Sequence, residues 1–164
     1  RGHLILAELE DDFDVHIITQ NVDNLHEKAG SSKVLHLHGE LLKVRSTKNY
    51  NYILDWHTDL NFGDVDNKGN QLRPHIVWFG EEVPALEYAV AIVEKADILI
   101  IIGTSLQVYP AASLMNFANP DIPIYYIDPK PAQIYDLPND LKIIAATGSE
   151  GMKKVQKDLE KLKE

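Results

Sequence analysis

The sequence predicts an α/β fold with a largely parallel sheet, and three observations point to it. Short aliphatic and β-branched runs alternate with amphipathic stretches along the 164 residues. One run, Asp97-Ile98-Leu99-Ile100-Ile101-Ile102-Gly103, is apolar without alternation, the pattern of a strand buried on both faces of a parallel sheet. Polar clusters at Gln20, Gly80, Gly103 and Asp128 each directly follow an expected strand. Open α/β sheets bind their ligands beyond such strand ends.

The elements follow in chain order. His3 to Glu10 reads as the end of a helix, with Leu4, Ala7 and Leu9 at near-helical spacing. Val15 to Thr19 is a β-branched strand, and Asn21 to Lys28 a short helix closed by Gly30. Val34 to Leu37 is a second strand. Residues 45–73 change texture, with many Asn, Asp, Gly, Thr and Tyr, and read as a small inserted lobe because a structureless loop of that length is unusual. His75 to Gly80 is expected to be a strand ending at glycine. Pro84 to Ala96 is the clearest helix, with Leu86, Ala89, Val90, Val93 and Ala96 on one face. The strand at 97–103, a helix from Ala111 to Phe117, and strands at Ile122–Ile127 and Leu141–Ala146 come next. Met152, Val155, Leu159 and Leu162 mark a closing helix.

A hydrophobic content of 45% and a charged content of 25% suit one globular domain. The net charge of −9 argues against nucleic acid as a partner, since phosphate-backbone binding needs clustered Lys and Arg. The same charge would favour a basic peptide. The chain has no cysteine, which excludes disulfides and thiolate metal sites and fits a reducing compartment. No apolar run approaches the roughly 18 residues of a membrane span, no signal peptide is expected, and no membrane partner is expected. The chain opens Arg1-Gly2-His3 inside an amphipathic stretch, so it reads as part of something longer.

Several positions carry candidate chemistry. Gly103 lets a ligand approach the backbone closely, and Thr104 and Ser105 offer hydroxyl and N–H groups at the start of the next helix. The alternative is a plain N-cap, with Ser105 capping a helix from Leu106. Asp128 follows a strand, where a carboxylate can accept ribose hydroxyls. An Asx-turn before Pro129 is the competing reading. An imidazole such as that of His38 is the natural base at neutral pH, although a histidine beside a strand is often only a buried structural group. His36 has the same local company and is expected on the opposite side of the strand; alternation alone does not say which of the two faces the site. His36 and His38 lack a third metal ligand at convincing spacing, so no metal is expected there. Asp64 to Gly69 faintly suggests a calcium loop, but Lys68 takes a ligand position, and a solvated turn is the better reading.

Four separated motifs occur in order: Thr19-Gln20-Asn21-Val22-Asp23 with Leu25-His26 and Ala29-Gly30; His38-Gly39-Glu40; Arg73-Pro74-His75-Ile76-Val77-Trp78-Phe79-Gly80-Glu81; and Gly103-Thr104-Ser105 with Val108 and Pro110-Ala111-Ala112. Together they resemble the sirtuins, the NAD-dependent protein-lysine deacylases. The runs His38–Arg45 and Arg73–Glu81 look most like the bacterial desuccinylase-type members. The resemblance implies a Rossmann-like doubly wound sheet at 1–44 and 74–164, around the inserted lobe at 45–73. It implies that Gln20, Asn21, Val22 and Asp23 line the nicotinamide-ribose pocket, with Asn21 and Asp23 beside the catalytic base His38. It places Gly103, Thr104 and Ser105 at the phosphates and adenine ribose, Asp128 at a ribose hydroxyl where the family usually has Asn, and Gly148 under the adenine. Val77, Trp78, Phe79 and Gly80 would hold an acyl-lysine protein or peptide as an added strand. NAD is the implied co-substrate and the cytoplasm the implied location. A silent NAD or ADP-ribose binding module and a mono-ADP-ribosyltransferase are the competing functions.

The sequence departs from that family's pattern in two places. Most sirtuins hold a zinc ion with two cysteine pairs, and here Ser46 and Asn49 stand where the first pair belongs. No zinc is expected. Tyr50, Tyr52, Ile53, Trp56 and Phe62 are expected to form an apolar mini-core instead. The family's glycine-rich nucleotide loop, which would precede the helix at His3 to Glu10, is not among these residues.

Overall fold

The computed structural model describes residues 1–163. Among them, eight strands and four α-helices run in the order α1 Gly2–Glu8, β1 Ile17–Thr19, α2 Leu25–Ala29, β2 Val34–His36, β3 Gly39–Ser46, β4 Ile53–Asp55, β5 Leu72–Ile76, α3 Leu86–Val93, β6 Leu99–Ile102, β7 Ile124–Asp128, β8 Leu141–Ala145 and α4 Gly148–Glu160. Short 3-10 segments occupy Leu9–Asp11, Ala111–Phe117 and Lys161–Lys163. Among the described residues no helix is long and apolar enough to cross a membrane.

The parallel part comes in two pieces. β1 pairs with β2, and β6, β7 and β8 form a three-stranded sheet with β7 in the middle, all parallel. Strand alternation sends side chains to both faces of the larger piece. On one face Ile98, Ile100, Ile102, Tyr125 and Ile127 meet Ile5 and Leu9 at the amino end and Met152, Val155 and Leu159 of α4. On the other, Leu99, Ile101 and Ile124 meet Val93 of α3 together with Ala118 and Ile122. Helical cover on both faces makes this an α/β doubly wound arrangement. α4 sits so close to β7 that a Cβ on Gly151 would lie 2.2 Å from Ile127 Cγ2. Its first turn is capped by Thr147, whose hydroxyl accepts the Glu150 N–H and donates to the Glu150 carboxylate.

The remaining sheet is antiparallel, ordered β4-β3-β5, and covers residues on both sides of 45–73. The seam between the two regions is Gly39. Its φ is +84°, and a Cβ there would lie 1.9 Å from the carbonyl oxygen of His75, so only glycine lets β3 start against β5.

Several expectations need correction. The helix expected from Asn21 starts at Leu25, because the Asp23 carboxylate takes the Leu25 N–H and holds residues 21–24 in a loop. The 111–117 helix is 3-10, not α. Leu162 lies past the end of α4 and is exposed. The strand expected at 75–80 is instead Leu72–Ile76: Trp78 gives its N–H to the Glu81 carboxylate and Glu81 gives its N–H to the Trp78 carbonyl, which makes 78–81 a turn. Gly80 therefore does not follow a strand directly.

The mini-core of the lobe does not form. Phe62 is fully exposed, and Tyr50 and Ile53 are each more than a third exposed. A polar knot holds the lobe instead. Buried Asp66 receives the Ser46 hydroxyl at 2.6 Å, the Lys68 and Asn70 backbone N–H groups, and the Asn70 side-chain amide. The Ser46 hydroxyl oxygen also accepts the N–H groups of Lys48 and Asn49. Asp66 alone of this stretch is buried; Val65, Asn67, Lys68 and Gly69 around it are exposed, and the Gly69 N–H closes a turn on the Asp66 carbonyl, so the expected solvated turn wraps a buried carboxylate. Chiefly through the Ser46 hydroxyl, and against the opposing effect of burial, the Asp66 carboxyl is held far below the ordinary carboxylate range.

Candidate active site

Two strand ends converge on one cavity of about 1050 Å³. β1 and the loop after it contribute Ile17 to Asn21, and β6 with its following loop contributes Leu99 to Thr104. The walls are largely apolar, with a polar rim where the strands finish. Gln20 Nε2 donates to Thr104 Oγ1 at 3.4 Å across this rim, joining residues 84 positions apart. Gly148, at the start of α4, completes the lining, with room for a Cβ only 3.1 Å from Ile102. Of the sequence-derived site residues, Gln20, Asn21, Gly103, Thr104 and Gly148 therefore share this cavity.

The Gly103 loop owes its shape to Tyr126, a side chain the sequence reading passed over. Its ring is fully buried, and its hydroxyl donates to the Thr104 carbonyl at 3.0 Å and accepts the Ala132 N–H at 3.1 Å. Gly103 and Leu106 both have φ near +60°, and the Thr104 hydroxyl oxygen accepts the Leu106 N–H. Ser105 is exposed and caps nothing, because the next helical residue is Ala111. No helix starts at this loop, so any anion here would meet loop N–H groups. Asp128 ends β7, and its carboxylate accepts the Lys130 N–H at 2.7 Å, which is the Asx-turn alternative realised.

His38 lies just past β2, partly buried, with Nδ1 3.2 Å from the Gln20 carbonyl. A carbonyl only accepts, so Nδ1 carries the proton, and in the neutral ring Nε2 is then the nitrogen with the lone pair a general base needs. Its own carbonyl receives the Val77 N–H at 2.9 Å, which ties the base to the 77–80 segment. Trp78 and Phe79 in that segment are exposed, Phe79 almost fully. Arg73 braces the turn with two hydrogen bonds to Glu81, at 2.7 and 3.1 Å. That contact, aided by the Trp78 N–H, holds the Glu81 carboxyl below its ordinary value.

His36 is not on the opposite side from His38. Residues two apart on a strand share a face, and both rings address the loop after β1: His36 Nδ1 lies 3.0 Å from the Asn21 carbonyl. Thr19 joins them, its hydroxyl accepting the Asn21 N–H at 3.1 Å. Val22 and Asp23 line a separate pocket of about 320 Å³ with Glu27, Glu40, Asp55 and His57. Next to it, Glu27, His36 and Glu40 each bring one potential ligand atom within 4.8 Å of the others, a grouping the spacing of the histidines did not suggest.

The Sir2 family model matches residues 1–110. An "NAD-dependent protein deacylase" of Helicobacter pylori (strain J99) is 60% identical over 144 residues, covering 88% of this chain and 61% of the relative. One of the same name from Bacteroides thetaiotaomicron is 50% identical over 162 residues, covering 95% of this chain and 69% of the relative. The chain thus spans about three-fifths of the length of the Helicobacter relatives it matches. A Sir2 homologue solved as its NAD complex superposes with a TM-score of 0.81 at 37% identity, over 98% of this chain and 64% of that one. Sir2 bound to acetylated peptide superposes at 0.77 and 27% identity, over 96% and 69%. With the motifs in register and the fold shared, the chain belongs to the Sir2 family.

Proposed function

We propose that this chain carries much of the site of an NAD-dependent protein-lysine deacylase, which releases nicotinamide and O-acyl-ADP-ribose. The reading rests above all on the cavity at the ends of β1 and β6, where Gln20, Asn21, Gly103, Thr104 and Gly148 meet. The names of the relatives support it. The polar rim of the cavity offers a dinucleotide groups to meet. NAD would supply an electrophilic ribose carbon and the nicotinamide leaving group. On this reading Asn21, with Val22 and Asp23 beside it, orients the nicotinamide ribose. His38, its Nε2 free, takes a proton from a ribose hydroxyl. Gly103, Thr104 and Ser105 meet the phosphates and adenosine, Asp128 a ribose hydroxyl, and Gly148 the adenine. Val77, Trp78, Phe79 and Gly80 receive the acyl-lysine of a protein or peptide, and the exposure of Trp78 and Phe79 leaves that segment accessible to it.

The same reading assigns 1–44 and 74–164 to the NAD-binding domain and 45–73 to a lobe that works without zinc. It places the enzyme in the cytoplasm, away from nucleic acid and membranes. The acidic net charge suits a basic protein substrate.

The test is an assay of the intact protein with NAD and acyl-lysine peptide, scoring both nicotinamide release and deacylated product. Both are expected in wild type, with turnover abolished in His38→Ala. Nicotinamide release without deacylation would mean a transferase, and neither product a binding module.

A further inference from the structure

The backbone of Asn21 is held in an unusual way. Residues 20 and 21 lie past the end of β1, where ladder pairing stops. Side chains take over: Thr19 accepts the Asn21 N–H, His36 faces the Asn21 carbonyl, and His38 faces the Gln20 carbonyl. Both peptide units flanking Asn21 are therefore pinned, and Asn21, which carries an amide, is a lining residue of the cavity.

His36 has one further partner. Its side chain is only 5% exposed, and Nε2 lies 2.7 Å from Glu27 Oε1 on α2. The Asn21 carbonyl only accepts, so Nδ1 donates. Nε2 is the ring nitrogen that meets the Glu27 carboxylate. Burial is the largest single influence and works to raise the Glu27 carboxyl, but the His36 bond, Glu27's own backbone N–H and the neighbouring imidazoles together keep it below its ordinary value. Glu40 is the other carboxylate of this group, and Lys43 binds it at 3.0 Å. The result is a braced ring, with one N–H aimed at the Asn21 carbonyl.

We propose that His36, backed by Glu27, is a positioning residue for the deacylation proposed above: it fixes the peptide after Asn21, so that the Asn21 amide is aimed into the cavity before any ligand arrives. This rests on the deacylase reading for its catalytic consequence, but not for its geometric one. Misplacing an orienting group by about 1 Å costs on the order of 100-fold in rate.

The experiment uses the intact protein in four forms: wild type, His36→Phe, His36→Gln, and the double variant His36→Gln with Glu27→Gln. Phe keeps the ring volume and loses both donors. In the single His36→Gln variant the new amide can donate to the Asn21 carbonyl, but its oxygen then opposes the Glu27 carboxylate. In the double variant that oxygen accepts from the second introduced amide, so the brace is rebuilt without an imidazole. The expected result is a kcat roughly 100-fold lower in His36→Phe, with the peptide KM within about twofold. The single His36→Gln variant should fall between, and the double variant should recover to within about tenfold of wild type. The Asn21 side-chain amide resonances in 1H–15N spectra should move in His36→Phe and return in the double variant. Wild-type kcat in His36→Phe would overturn the proposal, and so would a Tm loss with kcat and the Asn21 resonances unmoved. If wild type itself releases no nicotinamide, the deacylase reading fails instead, and the Asn21 resonances still judge the brace.

Discussion

The parallel sheet and the antiparallel lobe are held by opposite means. Around β7 the buried side chains are Ile5, Ile124, Ile127, Met152 and Val155, none with measurable exposure. In the lobe and along its seam Val44 and Leu72 are buried too, but they are outnumbered by the polar Arg45, Ser46, Asp66 and His75. Arg45 stacks 4.4 Å over the Tyr50 ring, and its guanidinium lies 3.7 Å from Glu81. Apolar burial is non-directional and tolerates shifts of shape. A polar knot works only when each donor meets its acceptor. One region should therefore weaken in proportion to the volume removed, and the other should open when a single hydrogen bond partner is lost.

The largest effect expected from breaking this contrast is in the apolar region. Met152→Ala empties a fully buried site between α4 and the sheet. It should cost about 2–5 kcal/mol in urea unfolding, with the whole parallel region melting together. Asp66→Ala should do something different. Amide exchange should accelerate at Lys68, Asn70 and Asn49, whose N–H groups end on the Asp66–Ser46 pair, while the α4 amides stay protected. Metal analysis of the same wild-type protein should find no stoichiometric zinc. Equal acceleration in α4 would mean that the knot is not a local device.

The smallest effect is a pH dependence shared by both regions. His26 on α2 and His75 on β5 are buried and held below the ordinary imidazole value, by burial first and then by His3 and Arg45 respectively. As pH falls, the unfolded chain takes up these protons before the folded one does. The stability contributed by the neutral rings is therefore intact above about pH 6.5 and declines below it until the folded values are passed. Thermal melts between about pH 7 and 5 should show this decline, and His75→Phe should lessen it.

The contrast also explains what the sequence made legible. The run at 97–103 betrayed itself by unbroken apolar character between Asp97 and Gly103, and the α4 face by its helical period. β3 did not. Its register shifts between Gly39 and Val44, which breaks the alternation, and adjacent Leu41 and Leu42 are both exposed. The run Ile76-Val77-Trp78-Phe79 looks like a strand, but a carboxylate at Glu81 captures the Trp78 N–H and ends the ladder. In the site, Gln20, Asn21 and Thr104 were legible because strand ends gather ligand-binding groups. The bracing groups Thr19, His36, Tyr126 and Glu27 were not, because each acts on a group far from it in sequence or hidden by the turn.

β1 and β6 both line the cavity, and among the described residues each has a single strand neighbour. Their remaining backbone N–H and C=O groups form an open template. Residues 1–164 expressed alone would thus be a strand acceptor, prone to capture extended segments from other copies, and light scattering should rise with concentration. A short β-rich peptide added in excess should suppress that scattering by occupying the slot.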